Sequence, residues 1–186
     1  MKPTALAIAL TGVLALAMPA PAHATMESLE ARVAAAEETT TAKEDLRKTF
    51  GKTSLKNGEF VWSDGKAGKV DRVVISLNDQ MAYAYDGDRL IGASTISSGR
   101  KGYDTPTGIF PILEKKRTHR SNRYNDAPMP YMQRLDWYGI ALHAGELPGR
   151  PASHGCVRLP EKFAAKLFAA TEVGTPVFIG AFAKQA

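Results

Sequence analysis

The sequence predicts a mainly β domain, a β-sandwich or barrel with one late helix, preceded by a short helical N-terminal segment. Apolar and polar residues alternate in short runs from residue 70 onward, which is the period of a half-buried strand. Turn residues such as Gly, Asp and Pro separate these runs. Only one later segment, residues 160–174, carries apolar residues at helical spacing. Short strands at near-regular spacing with a single late helix are typical of a sandwich or barrel.

Six strands are predicted in this part of the chain: residues 73–77, 81–85, 90–96, 109–113, 137–143 and 177–179. Residues 86–88 (DGD) lie between the second and the third and are a hairpin signal. The late helix begins at Pro160, whose fixed φ suits the first helical position, and Gly174 lies just past its end. One face of this helix is apolar and consists of Phe163, Leu167 and Phe168.

Residues 1–24 match a secretory signal peptide. Lys2 supplies the positive charge, residues 5–18 form an apolar run, and residues 22–24 (AHA) are a cleavage site. The run is too short to span a bilayer comfortably, and no later segment approaches the ~20 apolar residues of a transmembrane helix. We therefore expect the mature chain to start near Thr25, without a transmembrane segment, in the periplasm or another extracytoplasmic space.

Residues 25–50 are predicted to form a helical spacer. Apolar residues recur there at helical spacing: Met26, Leu29, Val33 and Ala36. Residues 39–41 (TTT) interrupt the pattern, and Thr41 with Glu44 forms a capping box that restarts a helix. A coiled-coil seam for self-association and a helix packed on the domain are the alternatives. Residues 51–69 are rich in Gly, Lys and Asn and are expected to be a linker before the domain at residues 70–182.

The charge balance favours an anionic partner. Without the signal peptide the chain has 23 basic and 19 acidic side chains, a net charge of +4, and residues 51–186 alone carry +6. A basic exported domain suits a polyanionic or carboxylate-rich partner. Nucleic acid is a poor candidate, because the basic residues are scattered, no binding motif is present and the chain is addressed for export.

Cys156, the only cysteine of the chain, is the candidate nucleophile. A single cysteine cannot form an intramolecular disulfide, although an oxidising compartment favours disulfides. His143 lies upstream, at the end of an apolar run formed by residues 140–142. A free thiol is mostly protonated at neutral pH, so a nucleophilic cysteine needs a base, and His143 is the candidate. A buried structural cysteine and a core histidine are the alternatives.

Residues 153–159 (SHGCVRL), with a histidine in the preceding strand, resemble the signature of the L,D-transpeptidase catalytic domain, also called the YkuD domain. Residues 105–110 (TPTGIF) are similar to the upstream TPxGxF segment of this family. Residues 129–131 (MPY) and 141–145 (ALHAG) follow in the family's order. The resemblance covers roughly residues 70–180 and implies the fold of that domain.

The resemblance implies a peptidoglycan cysteine transpeptidase of cell-wall biogenesis that uses no cofactor. Family enzymes attack the carbonyl of the diamino acid at the third position of a tetrapeptide stem and release the terminal D-alanine. The acyl group is then transferred to the side-chain amine of another stem peptide. Carbapenems acylate the same cysteine.

The sequence leaves the acyl acceptor open. Water as the acceptor would make the protein a hydrolytic L,D-carboxypeptidase or endopeptidase. A protein amine would make it an enzyme that anchors proteins to peptidoglycan. All of these activities use the same nucleophile and the same base.

Further residues are expected to complete the catalytic group. By resemblance, the backbone carbonyl of Ala144 orients the imidazole of His143 in place of a carboxylate. Gly155 allows a tight turn, and the amides of Gly155 and Cys156 are the expected oxyanion donors. His154 is expected to contact the substrate, to shape the oxyanion site or to be structural.

Three residues are candidates for substrate binding: Ser153, Arg158 and Tyr131. The planar fork of Arg158 suits a stem-peptide carboxylate, and a structural salt bridge is the alternative. Tyr131 and Trp137 are both candidates to line the groove. Aromatic residues beside strands are more often in the core, and the core is favoured for Trp137.

Two other classes of protein fit parts of the pattern. His143, His154 and Cys156 are three potential zinc ligands, but they lack the short ligand spacings of zinc sites, and His119 is the only other mature histidine. A non-catalytic wall-binding module is the second class, and it has no use for a lone reactive thiol. The sequence therefore predicts an enzyme without a metal.

Overall fold

The computed structural model describes residues 26–63 and 68–182, so the predicted signal peptide lies outside the described residues. In chain order the elements are α1 (Leu29–Phe50), β1 (Phe60–Trp62), β2 (Arg72–Ser76), β3 (Met81–Asp86), β4 (Arg89–Thr95), β5 (Gly108–Pro111), β6 (Glu114–Lys116), β7 (Met132–Arg134), β8 (Ala141–Ala144), β9 (Val157–Leu159), α2 (Glu161–Ala170) and β10 (Pro176–Gly180). Neither of these two helices has the length and apolar character needed to cross a bilayer.

The strands form two sheets. The larger has the order β1-β4-β3-β2-β10-β5, and the smaller has the order β6-β7-β8-β9. β10 runs parallel to β2 and β9 runs parallel to β8, whereas the other neighbours are antiparallel. The prediction of a mainly β domain with one late helix is confirmed. Strands β1, β6, β7 and β9 were not predicted, because a run of three residues is too short to display a period.

The main core lies between the two sheets and α2. Its fully buried residues come from all three layers: Val73, Ile75, Phe110 and Val177 from the larger sheet, Leu142, Val157 and Leu159 from the smaller sheet, and Phe163 and Leu167 from α2. Two of the three residues predicted for the apolar face of α2 therefore point inward. The third, Phe168, is half-buried and packs against the ring of Tyr131, with 5.9 Å between centroids.

α1 is one continuous helix, which corrects the predicted break at residues 39–41. Thr39 and Thr41 fit within it because their hydroxyls donate to backbone carbonyls three and four residues earlier. The helix begins after Ser28, whose hydroxyl accepts an N–H of the first turn, and ends at Gly51 with a φ of 65°. The threonines therefore neither cap nor interrupt the helix.

α1 packs on the larger sheet through a face of mostly small residues, not through the predicted apolar face. Its buried residues recur about one turn apart: Ala31, Ala35, Thr39, Ala42 and Leu46. They allow an approach so close that a Cβ at Gly180 of β10 would lie 2.3 Å from the Ala35 carbonyl oxygen. Leu29 and Val33, from the predicted face, are 72% and 49% exposed. Among the alternatives for residues 25–50, these contacts correspond to a helix packed on the domain.

Residues 51–69, predicted as a linker, contribute β1 to the edge of the larger sheet. Phe60 and Trp62 pack against the ring of Phe163, with centroid distances of 5.9 and 5.5 Å. Trp62 pairs with Gly92 of β4, where a Cβ would lie 2.4 Å from the indole. This part of the segment therefore belongs to the folded domain.

Candidate active site

A cavity of about 590 Å³ opens on the face of the smaller sheet that points away from the main core. Most of the predicted site residues line it: Cys156, His143, Ala144, Ser153, His154 and Arg158. Gly155 lies in the loop just before the cysteine. Tyr131 is not among the residues that line the cavity.

The parallel pairing of β8 with β9 brings Cys156 and His143 to the same face. His143 is in register with Arg158, and Leu142 is in register with Val157. Side chains alternate along a strand, so His143, Arg158 and Cys156 face the cavity, while Leu142 and Val157 face the core. Spacings of about 4.8 Å between strands and about 6.6 Å for two residues along a strand put the two Cα atoms roughly 8 Å apart. A thiol and an imidazole can meet across that distance.

His143 is held as a neutral imidazole. Its side chain is buried, and Nδ1 lies 2.7 Å from the carbonyl oxygen of Ala144. A carbonyl only accepts hydrogen bonds, so Nδ1 carries the proton and Nε2 keeps its lone pair. Burial, reinforced by the charge of Arg158, lowers the pKa of His143 to about 4, although the bond to Ala144 acts in the opposite direction. Nε2 is therefore available as a base at neutral pH.

Cys156 is held as a neutral thiol. It is half-buried, and Sγ–H donates to the carbonyl of Gly139 with an Sγ–O distance of 3.2 Å. Burial raises the pKa of the thiol, and the backbone N–H of Ala141 offsets part of this effect. The resting pair is therefore a thiol beside a neutral imidazole, not a thiolate–imidazolium ion pair.

Two hydroxyl groups fix the loop that precedes Cys156. Ser153 Oγ accepts the Gly155 N–H at 3.1 Å and donates to the carbonyl of Cys156. Thr105 Oγ1 donates to the carbonyl of Gly155 at 2.8 Å and accepts the Gly99 N–H at 2.9 Å. Gly155 has a φ of 109°, a conformation that favours glycine. The TPTGIF segment thus supports the cysteine through Thr105, a role that the sequence analysis missed.

These bonds correct two expectations about the loop. The N–H of Gly155 is engaged by Ser153, so it is not free to donate to an oxyanion. Outside the strand ladders, no acceptor among the described residues takes the Cys156 N–H, which leaves it as the candidate donor. Ser153 is buried and its hydroxyl is used within the loop, so it acts as a positioning residue and not as the expected substrate ligand.

Arg158 projects into the cavity beside His143. It forms no salt bridge with any residue in the described ranges 26–63 and 68–182. The absence of a side chain at Gly145 leaves room for the methylene groups of Arg158, because a Cβ at Gly145 would lie 3.1 Å from Arg158 Cγ. The guanidinium is therefore available to an anionic ligand, and the alternative of a structural salt bridge has no partner among these residues.

His154 belongs to an aromatic wall of the cavity. Its ring stacks on Tyr124, with centroids 4.3 Å apart and an interplanar angle of 20°, and meets the edge of Tyr103 at 4.7 Å. The guanidinium of Arg100 lies 4.3 Å from the centre of the Tyr103 ring. Partial burial, reinforced by Arg100 and Arg158, lowers the pKa of His154. The sequence did not indicate either tyrosine as a site residue.

Two aromatic residues lie where the sequence did not predict them. Tyr131 packs on Phe168 and on the main core, away from the cavity, so the expected contact with substrate is not supported. Trp137 is 72% exposed and not in the core. The predicted strand 137–143 begins only at Ala141, because Asp136 Oδ1 accepts two backbone N–H groups and holds residues 136–139 in a turn.

The three potential zinc ligands, His143, His154 and Cys156, all line the cavity. In the part of the chain that the structure describes, no three His, Cys, Asp or Glu side chains have an arrangement that could hold a metal ion. The ring of His154 is instead engaged by Tyr103 and Tyr124.

The depressed pKa of His143 predicts a stability that falls with acid. The folded state resists protonation down to pH ~4, whereas the unfolded chain binds the proton near pH 6.5. Stability is therefore lost as pH falls from 6.5 to 4, by about 3 kcal/mol if His143 acts alone. Urea unfolding across this range should show a smaller pH dependence for His143→Gln than for the wild type. His154→Gln is the matched control, and an equal effect of the two substitutions would contradict the assignment.

Comparison with known proteins gives one family. The family model of the L,D-transpeptidase catalytic domain (YkuD) matches residues 70–179. Among solved structures, an L,D-transpeptidase from Stackebrandtia nassauensis is 26% identical, with a TM-score of 0.56 over 73% of this chain and 64% of that one. One from Xylanimonas cellulosilytica DSM 15894 is also 26% identical, with a TM-score of 0.54 over 61% of this chain and 62% of that one.

A third structure, an L,D-transpeptidase from Mycobacterium tuberculosis H37Rv, shares the fold at 23% identity, with a TM-score of 0.54 over 57% of this chain and 56% of that one. The chain thus spans a little over half the length of that relative. No curated protein sequence matches the chain.

Proposed function

The chain belongs to the L,D-transpeptidase catalytic domain family, and from this we propose that it is a peptidoglycan L,D-transpeptidase that acts through a thioester on Cys156. The family's cell-wall substrate implies work outside the cytoplasm. The observation that carries the proposal is the cavity shared by the half-buried thiol of Cys156 and the neutral imidazole of His143. One supplies a nucleophile and the other supplies an unprotonated base.

Acylation starts from the neutral pair. His143 Nε2 takes the thiol proton as Cys156 Sγ attacks the carbonyl of the diamino acid in a stem peptide. The C–S bond forms, and the carbonyl electrons move onto oxygen, to which the Cys156 N–H donates. On collapse the C–N bond to the terminal D-alanine breaks, and the proton on His143 goes to the leaving amine. The products are a thioester and free D-alanine.

The second half of the reaction restores the resting state. The side-chain amine of another stem peptide attacks the thioester, and its surplus proton passes to His143 Nε2. The C–S bond then breaks, and the proton returns to the sulfur. Glu146 and Glu161 line the same cavity and form no salt bridge among the described residues. Their charge attracts the protonated form of an amine acceptor, which must lose that proton to solvent before it attacks, and so supports an amine over water as the acceptor.

The acceptor is tested by incubating the mature protein with purified muropeptides rich in tetrapeptide stems and analysing the products by mass spectrometry. Cross-linked dimers that have lost one D-alanine are the expected products. Tripeptides alone would replace the transpeptidase by an L,D-carboxypeptidase. Coupling only to an added protein amine would replace it by an anchoring enzyme, and unchanged muropeptides would contradict all three activities.

Arg158 is proposed to bind a carboxylate of the stem peptide. Arg158→Lys keeps the charge but loses the planar fork, so turnover of tetrapeptide should fall roughly tenfold, as for the loss of one charge-assisted hydrogen bond. Raising the salt concentration should weaken substrate capture by the wild type, because exposed charges are screened beyond ~10 Å at 0.1 M. Steady-state kinetics across a salt series measure both effects. Arg150→Lys, at an exposed position, is the control, and wild-type kinetics for Arg158→Lys would return Arg158 to a structural role.

A further inference from the structure

Exposed aromatic side chains are concentrated next to the cavity. The described residues include five exposed aromatic residues. Tyr124 lines the cavity and Tyr103 packs on His154, which also lines it. Trp137 and Tyr138 directly precede Gly139, another lining residue. The fifth, Phe182, follows β10. Tyr103 and Tyr124 are already used, since both pack on His154. Trp137 and Tyr138 are 72% and 80% exposed, and neither ring packs on His154.

Trp137 and Tyr138 lie at the tip of a rigid turn between β7 and β8. The carboxylate of Asp136 is buried, and Oδ1 accepts the Gly139 N–H at 2.7 Å and the following N–H at 2.8 Å. The guanidinium of Arg123 donates to the carbonyl of Tyr138 from the neighbouring loop. The two rings are thus presented from a backbone that needs no ordering before it binds a ligand.

The indole of Trp137 is supported from one side. The guanidinium of Arg134 lies 5.5 Å from the indole centroid. Arg134 is held in turn, because its Nε donates to Glu114 at 2.9 Å. Since the side chain is 72% exposed, the support leaves most of the ring open to solvent. A supported aromatic ring with an open face is suited to stacking against a flat ligand.

The stem peptide does not account for this pair of rings. Apart from the methyl groups of alanine, its side chains are charged, and the cavity already offers Arg158 and the two glutamates to them. The glycan strand that carries the stems is different, because sugar rings present faces of C–H groups that pack flat on aromatic rings. A glycan strand is therefore the part of the substrate whose chemistry fits Trp137 and Tyr138.

The distances also fit a glycan strand. The carbonyl of Gly139 lies 3.2 Å from Cys156 Sγ, and Trp137 is two residues from Gly139. Two residues span at most about 7 Å, so the aromatic pair lies on the order of 10 Å from the sulfur. The carbonyl that is attacked belongs to the third residue of the stem, which in an extended stem is also about 10 Å from the sugar. A stem bound at Cys156 is therefore long enough for its own glycan strand to reach the turn.

We propose that Trp137 and Tyr138 form a binding platform for the glycan strand of peptidoglycan. This inference rests on the proposed function, because that function supplies a glycan-linked substrate. It adds a sugar-binding surface to the peptide site and predicts a preference for stems that are attached to glycan over free stem peptides.

Binding is tested with glycan strands from which an amidase has removed the stems. Trp137→Ala and Tyr138→Ala should each weaken this binding about tenfold, the size expected for one lost stacked contact. Phe182→Ala replaces the exposed aromatic residue outside this site and should bind as the wild type does. Isothermal titration calorimetry gives the affinities, and melting temperatures verify the folding of each variant. Wild-type affinity in both turn variants would overturn the proposal, as would an equal loss of affinity for free tetrapeptide.

Kinetics separate this proposal from the function on which it rests. On glycan-linked stems the two turn variants should raise KM, with a smaller rise on free tetrapeptide. An equal loss on both substrates would mean that the turn only positions Gly139 beside Cys156, and would overturn the platform. If the wild type bound stripped glycan through these residues but formed neither a carbapenem adduct nor a cross-link, the proposed function would fail and the platform would stand.

Discussion

Replacing Cys156 by alanine is expected to abolish both covalent capture of a carbapenem and turnover of tetrapeptide stems. The chain has one cysteine, so the wild type should gain one covalent equivalent in the intact protein. The substitution removes the sulfur that forms the thioester, and loss of a nucleophile lowers turnover by at least ~10³-fold. Folding should persist, because Cys156 is only half-buried and the change costs about 1 kcal/mol at such a site.

Intact-protein mass spectrometry, together with the melting temperature, measures this prediction. Cys156→Ser is the second variant, since it retains a small polar group at the same point of the loop. Its hydroxyl is far less acidic than a thiol, so a base with a pKa of about 4 cannot activate it effectively. An adduct that persists in Cys156→Ala would assign the nucleophile to another residue.

The sequence alone could predict the nucleophile and the base of the candidate site, because both follow from residue type and local context. A solitary cysteine in a Gly-containing turn and a histidine at the end of an apolar run are local features. The register that pairs His143 with Arg158 is not local, because β8 and β9 are joined through a 12-residue connection. Parallel pairing of short strands leaves no periodic signal, so the shared face of the two side chains required the structure.

The expectation that the Gly155 N–H donates to an oxyanion is not supported, because the sequence does not say which N–H groups are already satisfied. Gly155 and Cys156 both looked suitable from their position beside the nucleophile. The hydroxyl of Ser153 accepts the N–H of Gly155, two residues further along the chain, as Ser side chains often do in turns. Such a contact depends on the fold of the loop, which Thr105 fixes from 50 residues away.

Other errors arose where apolar character was taken to mean burial. Leu29 and Val33 gave α1 an apparent apolar face, yet the close approach to the sheet selects the alanine face. The core was favoured for Trp137 because aromatic residues beside strands are more often buried. Asp136 and Gly139, two turn residues that flank it, were the signal that could have placed it at a turn.

Replacing His143 by glutamine is the test of the base. Glutamine is neutral and can still donate to the carbonyl of Ala144, so the buried slot stays occupied while the basic nitrogen is lost. Carbapenem acylation and tetrapeptide turnover should fall by ~10²- to 10⁴-fold, the range for loss of general-base assistance. His154→Gln is the matched control, and it should cost much less because its ring is engaged by Tyr103 and Tyr124.

The pH profile distinguishes a base from a residue that only supports the site. Burial lowers the pKa of His143 to about 4 and raises the pKa of Cys156, so the neutral pair persists across the whole interval between the two pKa values. Wild-type acylation should therefore be nearly constant with pH in that interval and fall only as pH drops through about 4. Without the imidazole only the thiolate fraction reacts, so the rate of His143→Gln should rise about tenfold per pH unit below the pKa of Cys156. Parallel profiles for the two proteins, measured by stopped-flow acylation from pH 4 to 9, would show that His143 does not take the thiol proton.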